Sequence, residues 1–253
     1  VTEVIPYAGL EKILKEKGIG KTELSTEAGL STRTVAKIAK GEKLSTRSLN
    51  RIAGYLNVAP ELLCRQESDN KILQILRDEK EIQLSGGLYH ELQVRMTYNS
   101  NHMEGSRLTH DQTRYIFETN TIGVENETLN VDDVIETANH FCCIDMIIDN
   151  AKSILSEKFI KKLHLILKSG TSDSRLDWFA VGDYKKRPNE VGGMPTAMPE
   201  DVADKMKSLL IEYNEKDKKT FENILDFHAK FEKIHPFQDG NGRVGRLIMF
   251  KEC

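Results

Sequence analysis

His235-Pro236-Phe237-Gln238-Asp239-Gly240-Asn241-Gly242-Arg243-Val244-Gly245-Arg246 places a proton acceptor, a carboxylate, a Gly-Asn-Gly turn and two arginines in one short segment. Gly240 and Gly242 lack a Cβ, so the backbone can bend and aim several N–H groups at one point. A nest of that kind binds phosphate oxygens. The apolar residues that follow, Val244 and Leu247 to Phe250, predict a helix starting at the turn. Its unpaired N–H groups and partial positive charge favour an anion there. Arg243 and Arg246 are three apart, so they share a helix face and can both reach phosphates. Asp239 offers the oxygen ligand that suits Mg²⁺, an ion that accompanies nucleotide phosphates. His235 is the one side chain of the segment able to take a proton near pH 7.

Outward from this segment, helical periodicity dominates residues 88–253. Leu88, Leu92 and Met96 form one stripe. Thr109 caps a helix through Phe117, and Val131 to Ala151 is a long periodic helix. Ser156 caps a helix through Leu167, and Glu200 to Tyr213 and Thr220 to Ile234 supply two more. The last runs straight into His235, which puts that residue in a loop between helices. His228, about two turns earlier, reads as a hydrogen-bonded core histidine. Between the helices, Asp177 to Pro199 carries Gly182, Pro188, Gly192, Gly193, Pro195 and Pro199, which argues for a loop or small hairpin. In Ser100-Asn101-His102-Met103-Glu104-Gly105, Ser100 can cap a short helix from which Glu104 projects one turn later.

The front of the chain differs. Residues 1–65 hold 11 Lys and Arg against 7 Asp and Glu, while residues 66–253 hold 25 against 32. A mildly basic front on an acidic body implies two domains with different partners. Residues 9–65 read as short helices. Leu10, Ile13 and Leu14 form a stripe ended by Gly18, and Thr22 to Ala28 a second helix closed by Gly29. Ser31 caps a third holding Val35, Ile38 and Ala39. Ser45 or Thr46 caps a fourth, and Pro60 opens a short fifth at Glu61 to Leu63. Residues 66–87 form the junction, with a connecting helix through Ile72, Leu73 and Leu76 and a break at Ser85-Gly86-Gly87. The fold expected is mainly α: a helical bundle at 1–65, a linker or connecting helix at 66–87, and an all-helical domain with a small β-hairpin at 88–253.

At 39% hydrophobic and 30% charged, the composition is that of a globular protein. No apolar run approaches the ~20 residues needed to span a bilayer, and no signal peptide is visible. Cys64, Cys142, Cys143 and Cys253 lack zinc spacing and read as free thiols, the adjacent pair on different sides of a helix. A cytoplasmic protein without a membrane partner is expected.

Residues 235–246 match the signature His-x-Phe-x-(Asp/Glu)-Gly-Asn-Gly-Arg-x-x-Arg at every defined position, and the chain resembles the Fic family. The resemblance implies transfer of AMP from ATP, with Mg²⁺, to a Tyr, Thr or Ser hydroxyl of a target protein, the chain itself included. His235 would be the base and Asp239 the metal ligand. Gly240, Asn241, Gly242, Arg243, Val244, Gly245 and Arg246 would bind ATP, with Asn241 positioning the α-phosphate and the arginines neutralising the β- and γ-phosphates. Phe237 would pack inward. The hairpin would be the flap that pairs with the target segment, with Val191, Gly192, Gly193 and Met194 at the ligand. Ser100 and Glu104 fit the inhibitory pattern (Ser/Thr)-x-x-x-Glu-(Gly/Asn), whose glutamate pairs with the second arginine, here Arg246. Fic domains continue past the signature, whereas Cys253 lies seven residues beyond Arg246, so the supporting helices beyond are expected to be missing.

The front is similar to a repressor/Cro-type helix-turn-helix. Arg33, Thr34 and Lys37 would then face DNA, although the charge excess is small for a DNA binder. A bundle for protein contact or dimerisation stays open, as does a homo-oligomer. So do three alternatives: a DNA-bound regulator with the Fic domain as sensor, transfer of another phosphate-containing group, and AMP removal assisted by Glu104.

Overall fold

A computed structural model describes residues 7–42, 44–58, 60, 63, 70–123, 128–216 and 218–253. The chain divides into two compact units, with the boundary between Gln74 and Ile75. No helix among the described residues is long and apolar enough to cross a membrane.

The first unit contains α1 (Ala8–Lys17), α2 (Lys21–Glu27), α3 (Thr32–Ala39) and α4 (Thr46–Leu56). Its caps explain its boundaries. The Ser31 hydroxyl accepts from Thr34 N, and the Ser45 hydroxyl from Ser48 N, satisfying N–H groups that the first turn leaves open. Gly18 ends α1 in the left-handed region, at φ 66°. Leu10, Leu14, Leu24, Ile52 and Leu56 form the core. Tyr7 closes it: its hydroxyl donates to Glu42 O and accepts from Leu44 N. Residues 61, 62 and 64 of the expected fifth helix and its flank, Cys64 among them, lie outside the described residues.

A further helix, α5 (Lys71–Ile82), spans the boundary. The second unit continues with α6 (Leu88–Met103), α7 (His110–Thr119), α8 (Val131–Asp149) and α9 (Glu157–Lys168). A hairpin of β1 (Glu190–Val191) and β2 (Met194–Pro195) follows, then α10 (Pro199–Asn214), α11 (Phe221–Ile234) and α12 (Asn241–Glu252). The hairpin pairs Glu190 with Pro195 and Val191 with Met194. Gly192 and Gly193 turn it at φ 57° and 77°, two successive positive values of the kind that a tight hairpin turn needs. Helix α12 packs against α11, α8, α9 and α6, so its N-terminus lies where four helices converge. Ile144, Ile147, Leu163, Phe231, Val244 and Leu247 are fully buried around it.

Two expectations for α6 change. Leu88 is 44% exposed, and the buried face is Tyr89, Gln93, Val94, Thr97, Ser100 and Asn101 instead. Polar side chains can line this face because α8 answers them: Gln93 donates to Asp145, Asn101 donates to Thr137, and Thr97 bonds His140. Ser100 is no N-cap. The helix starts twelve residues earlier, Ser100 sits in its last turn, and Glu104 is the C-cap. His228 is half-buried rather than in the core, with its ring against Gly245.

Candidate active site at the N-terminus of α12

The site is built from the loop between α11 and α12. His235 ends α11 in the left-handed conformation, φ 53°, a position that a histidine tolerates better than a β-branched residue. Its N–H still bonds Phe231 O at 2.9 Å. Phe237 drops into the core with no exposure and stacks on His164 at 4.0 Å and 5°. Gly182 N donates to His164 Nδ1, so the proton sits on Nε2, which donates to Asp239 O. Burial pulls the His164 pKa down to about 4, which keeps the ring neutral. Asn241 bonds both Phe237 N and Phe237 O at 2.8 Å. Its amide therefore braces the loop.

The carboxylate and arginines divide into two groups. Asp239 Oδ2 takes Lys168 Nζ at 2.7 Å and Arg243 at 3.2 Å. Lys168 and Arg243 both continue to Glu136 on α8, and Lys168 also pairs with Asp173 at 3.1 Å. Burial favours a neutral Asp239, but the two cations outweigh it and hold the carboxyl below its usual pKa. Arg246 is further along α12. Its Nε donates to Ser100 Oγ, and its NH2 group donates to Ser100 O at 2.9 Å and to Glu104 Oε1 at 2.6 Å. A Cβ on Gly242 would collide with that same Glu104 oxygen. The glycine thus lets a carboxylate rest on the first turn of α12, where the helix attracts anions. Beside it, Glu232 Oε1 and the His228 ring fill the space that a Cβ on Gly245 would need.

His235 lies between these groups. Burial lowers its pKa below that of a free imidazole, and Lys185 pushes the same way. It is neutral near pH 7 and able to accept a proton. Its Nδ1 is 3.8 Å from Glu232 Oε2.

Residues 154–253, which hold α9 to α12 and the His235 loop, match the Fic/DOC family. The chain carries a Fic domain. Residues 9–67 match the Cro/C1-type HTH DNA-binding domain, so the first unit is a helix-turn-helix domain. Curated relatives named protein adenylyltransferase Fic include one from Nematostella vectensis, 29% identical over 60% of this chain and 35% of its own length. Another, from Aedes aegypti, is 27% identical over 63% of this chain and 32% of its own. The chain thus spans about a third of the length of the curated relatives it matches. Among solved structures, a Fic domain containing signaling protein from Bacteroides thetaiotaomicron superimposes with a TM-score of 0.57 and 27% identity, covering 72% of this chain and 71% of that one. Fic-1 from C. elegans shares the fold at a TM-score of 0.54 and 17% identity.

Within the Fic domain, the structure brings His235, Asp239, Arg243 and Arg246 together around one helix N-terminus, and Glu104 joins them from α6. Asn241 faces the loop instead of solvent, being 1% exposed. The tip of the hairpin, Val191 and Met194, is exposed, whereas contacts to the His235 loop come from Lys185, Arg187 and Asn189 at its base. Lys168, Glu136, His164, Lys185 and Glu232 escaped the motif reading. Each is an unremarkable residue of a helix or loop until its distant partner is known. No cluster of three or more His, Cys, Asp or Glu side chains among the described residues could hold a metal ion by itself. The half-exposed Asp239 carboxylate suits Mg²⁺ that shares its coordination with substrate phosphates.

Proposed function

We propose that the Fic domain transfers AMP from ATP to a hydroxyl of a protein, and that Glu104 restrains it. The observation that carries the reading is the Glu104 carboxylate on the first turn of α12, bonded to Arg246 beside Gly242. A site that draws a carboxylate to a helix N-terminus and an arginine is a site for phosphate. ATP lies with its phosphates over Gly240 to Gly242. Asp239 would hold Mg²⁺, which would neutralise phosphate charge. Neutral His235 removes the proton of the target hydroxyl, whose oxygen attacks the α-phosphorus, and pyrophosphate leaves. Arg243 and Arg246 stabilise charge on the phosphates, an electrostatic contribution of the kind that dominates phosphoryl transfer. Val191 to Met194 line the approach of the target. Glu104 opposes transfer by claiming Arg246 and by repelling the terminal phosphate.

The test is transfer of label from α-labelled ATP with Mg²⁺, including self-modification. Glu104→Gly is expected to exceed the parent by at least about tenfold, equivalent to ~1.4 kcal/mol of barrier. Adding His235→Ala should abolish the gain without loss of ATP binding. Transfer that survives in the double variant would remove His235 as the base. A Glu104→Gly variant no faster than the parent would remove the restraint.

The first unit supports a second activity, DNA binding. Ser31 caps α3 and leaves Arg33 exposed, with Thr34 and Lys37 partly so. Arg33→Ala with Lys37→Ala should weaken a gel shift and reduce its salt slope by about two. Failure of the parent to shift any duplex at low salt would leave the unit as a protein-contact bundle.

A further inference from the structure

The base of the hairpin is laced to the His235 loop by four separate contacts. Lys185 N donates to Pro236 O at 2.8 Å. Lys185 Nζ reaches Ile234 O at 3.5 Å, Asn189 Nδ2 donates to Phe237 O at 2.9 Å, and Arg187 N donates to Gln238 Oε1 at 3.3 Å. Phe237 O also accepts from Asn241 at the start of α12, so hairpin, loop and helix share one chain of hydrogen bonds.

Lys185 is at the centre of this lacing. Its ammonium donates to Asn189 Oδ1 and Thr196 Oγ1, both at 2.6 Å. Asn189 directly precedes β1 and Thr196 directly follows β2, so one cation ties the two feet of the hairpin together. Thr196 closes the same ring by bonding Asn189 O through its hydroxyl and its N–H. The residue is 3% exposed, and no carboxylate among the described residues lies within ion-pair distance of it. An ammonium held by three neutral oxygens bears a desolvation cost that a surface lysine avoids. Burial lowers its pKa to about 8, with Lys205 adding to the effect. A solvated basic residue would suffice if this position only covered surface.

We propose that Lys185 is a positioning residue, fastening the hairpin to the His235 loop so that the two move as one body and a segment held on the hairpin meets His235 in a single register. The fastening stands on the geometry alone, and its consequence for transfer rests on the AMP-transfer reading above. A Met at 185 keeps the length and apolar stem but cannot donate.

Hydrogen exchange on the full chain tests the fastening. In Lys185→Met, peptides covering 184–197 and 234–240 should both exchange at least about tenfold faster, while α10 stays at the parental rate. Thr196→Val, which removes one acceptor, should accelerate both segments to a smaller extent, and it decides the matter by the same criterion if Lys185→Met does not fold. A hairpin that loosens while 234–240 exchanges at the parental rate would overturn the proposal, as would no change in either. The consequence for transfer is read in the Glu104→Gly background with α-labelled ATP. Lys185→Met should lower the maximal self-modification rate about tenfold or more and leave the half-saturating ATP concentration unchanged. A weakened grip on ATP with the maximal rate intact would overturn the positioning role. Absence of transfer by Glu104→Gly itself would sink the AMP-transfer reading and leave the exchange result to judge the fastening.

Discussion

Arg243 and Arg246 leave α12 one turn apart and meet opposite surroundings. Arg243 is 5% exposed along its side chain and is locked between Glu136 and Asp239, with Lys168 completing the network. Arg246 is about a quarter exposed and is held by a serine, a backbone carbonyl and the equally accessible Glu104. In the first region Arg243, Lys168 and Glu136 are buried, so removing one leaves a buried partner with fewer counter-charges in a poorly solvated space. In the second, water can replace whatever leaves. One arginine therefore belongs to the buried scaffold beneath the first turn of α12. On the proposed AMP-transfer reading, the other is a contact that nucleotide would compete for.

That contrast breaks most readily on stability. Arg243→Met is expected to destabilise the Fic domain by about 3 kcal/mol, the lower end of the range for breaking a buried ion pair, because Lys168 still bonds Glu136 and Asp239. Arg246→Met should cost no more than about 1 kcal/mol. Urea denaturation followed by circular dichroism checks both, and equal losses would refute the division into scaffold and switch. A smaller effect concerns Ser100, whose hydroxyl accepts from Arg246 Nε. Ser100→Ala should loosen the arginine and raise transfer by roughly two- to fivefold, consistent with one hydrogen bond of ~0.5–1 kcal/mol. It should therefore fall short of Glu104→Gly in the same labelled-ATP assay.

The smallest expected effect is a slope. Burial raises Glu232 from the ordinary 4.5 to about 7, with Arg246 opposing and Glu104 adding to the rise. Between those values the folded protein holds a proton that the unfolded chain has already lost. Stability should accordingly fall as pH rises from about 4.5 to 7 and flatten above. His228 and His235, both lowered by burial, lie against this group, and Arg246 and Glu104 act on it as charges. Glu232→Gln should remove only the portion that belongs to the carboxyl. Denaturation midpoints across pH 4–8 that run parallel in parent and variant would show that Glu232 does not titrate in this window.

Much of the fold was legible because its signals are local. Ser31, Ser45, Thr109, Ser156 and Thr220 each accept a hydrogen bond from the first turn of their helix, as their positions before apolar periods imply. Cys142 and Cys143 fall on different sides of α8, one exposed and one buried. The apolar stripe expected on α6 failed because that helix buries amides and hydroxyls whose partners, Thr137, His140 and Asp145, belong to α8. Lys168 resembles any basic residue near a helix C-terminus, and Lys185 reads as part of the solvated run Tyr184-Lys185-Lys186-Arg187. Nothing local marks either as buried.

Turn glycines, caps and the spacing of the signature act over a few residues, so the chain alone specifies the helices, the hairpin and the glycine loop that opens α12. The identity of each arginine's partner does not follow from such spacing. Glu136 is 107 residues from Arg243, and Glu104 is 142 residues from Arg246. The strength of a charge pair depends on separation in space and on access to water, and both arise only when α6, α8 and α9 close around α12.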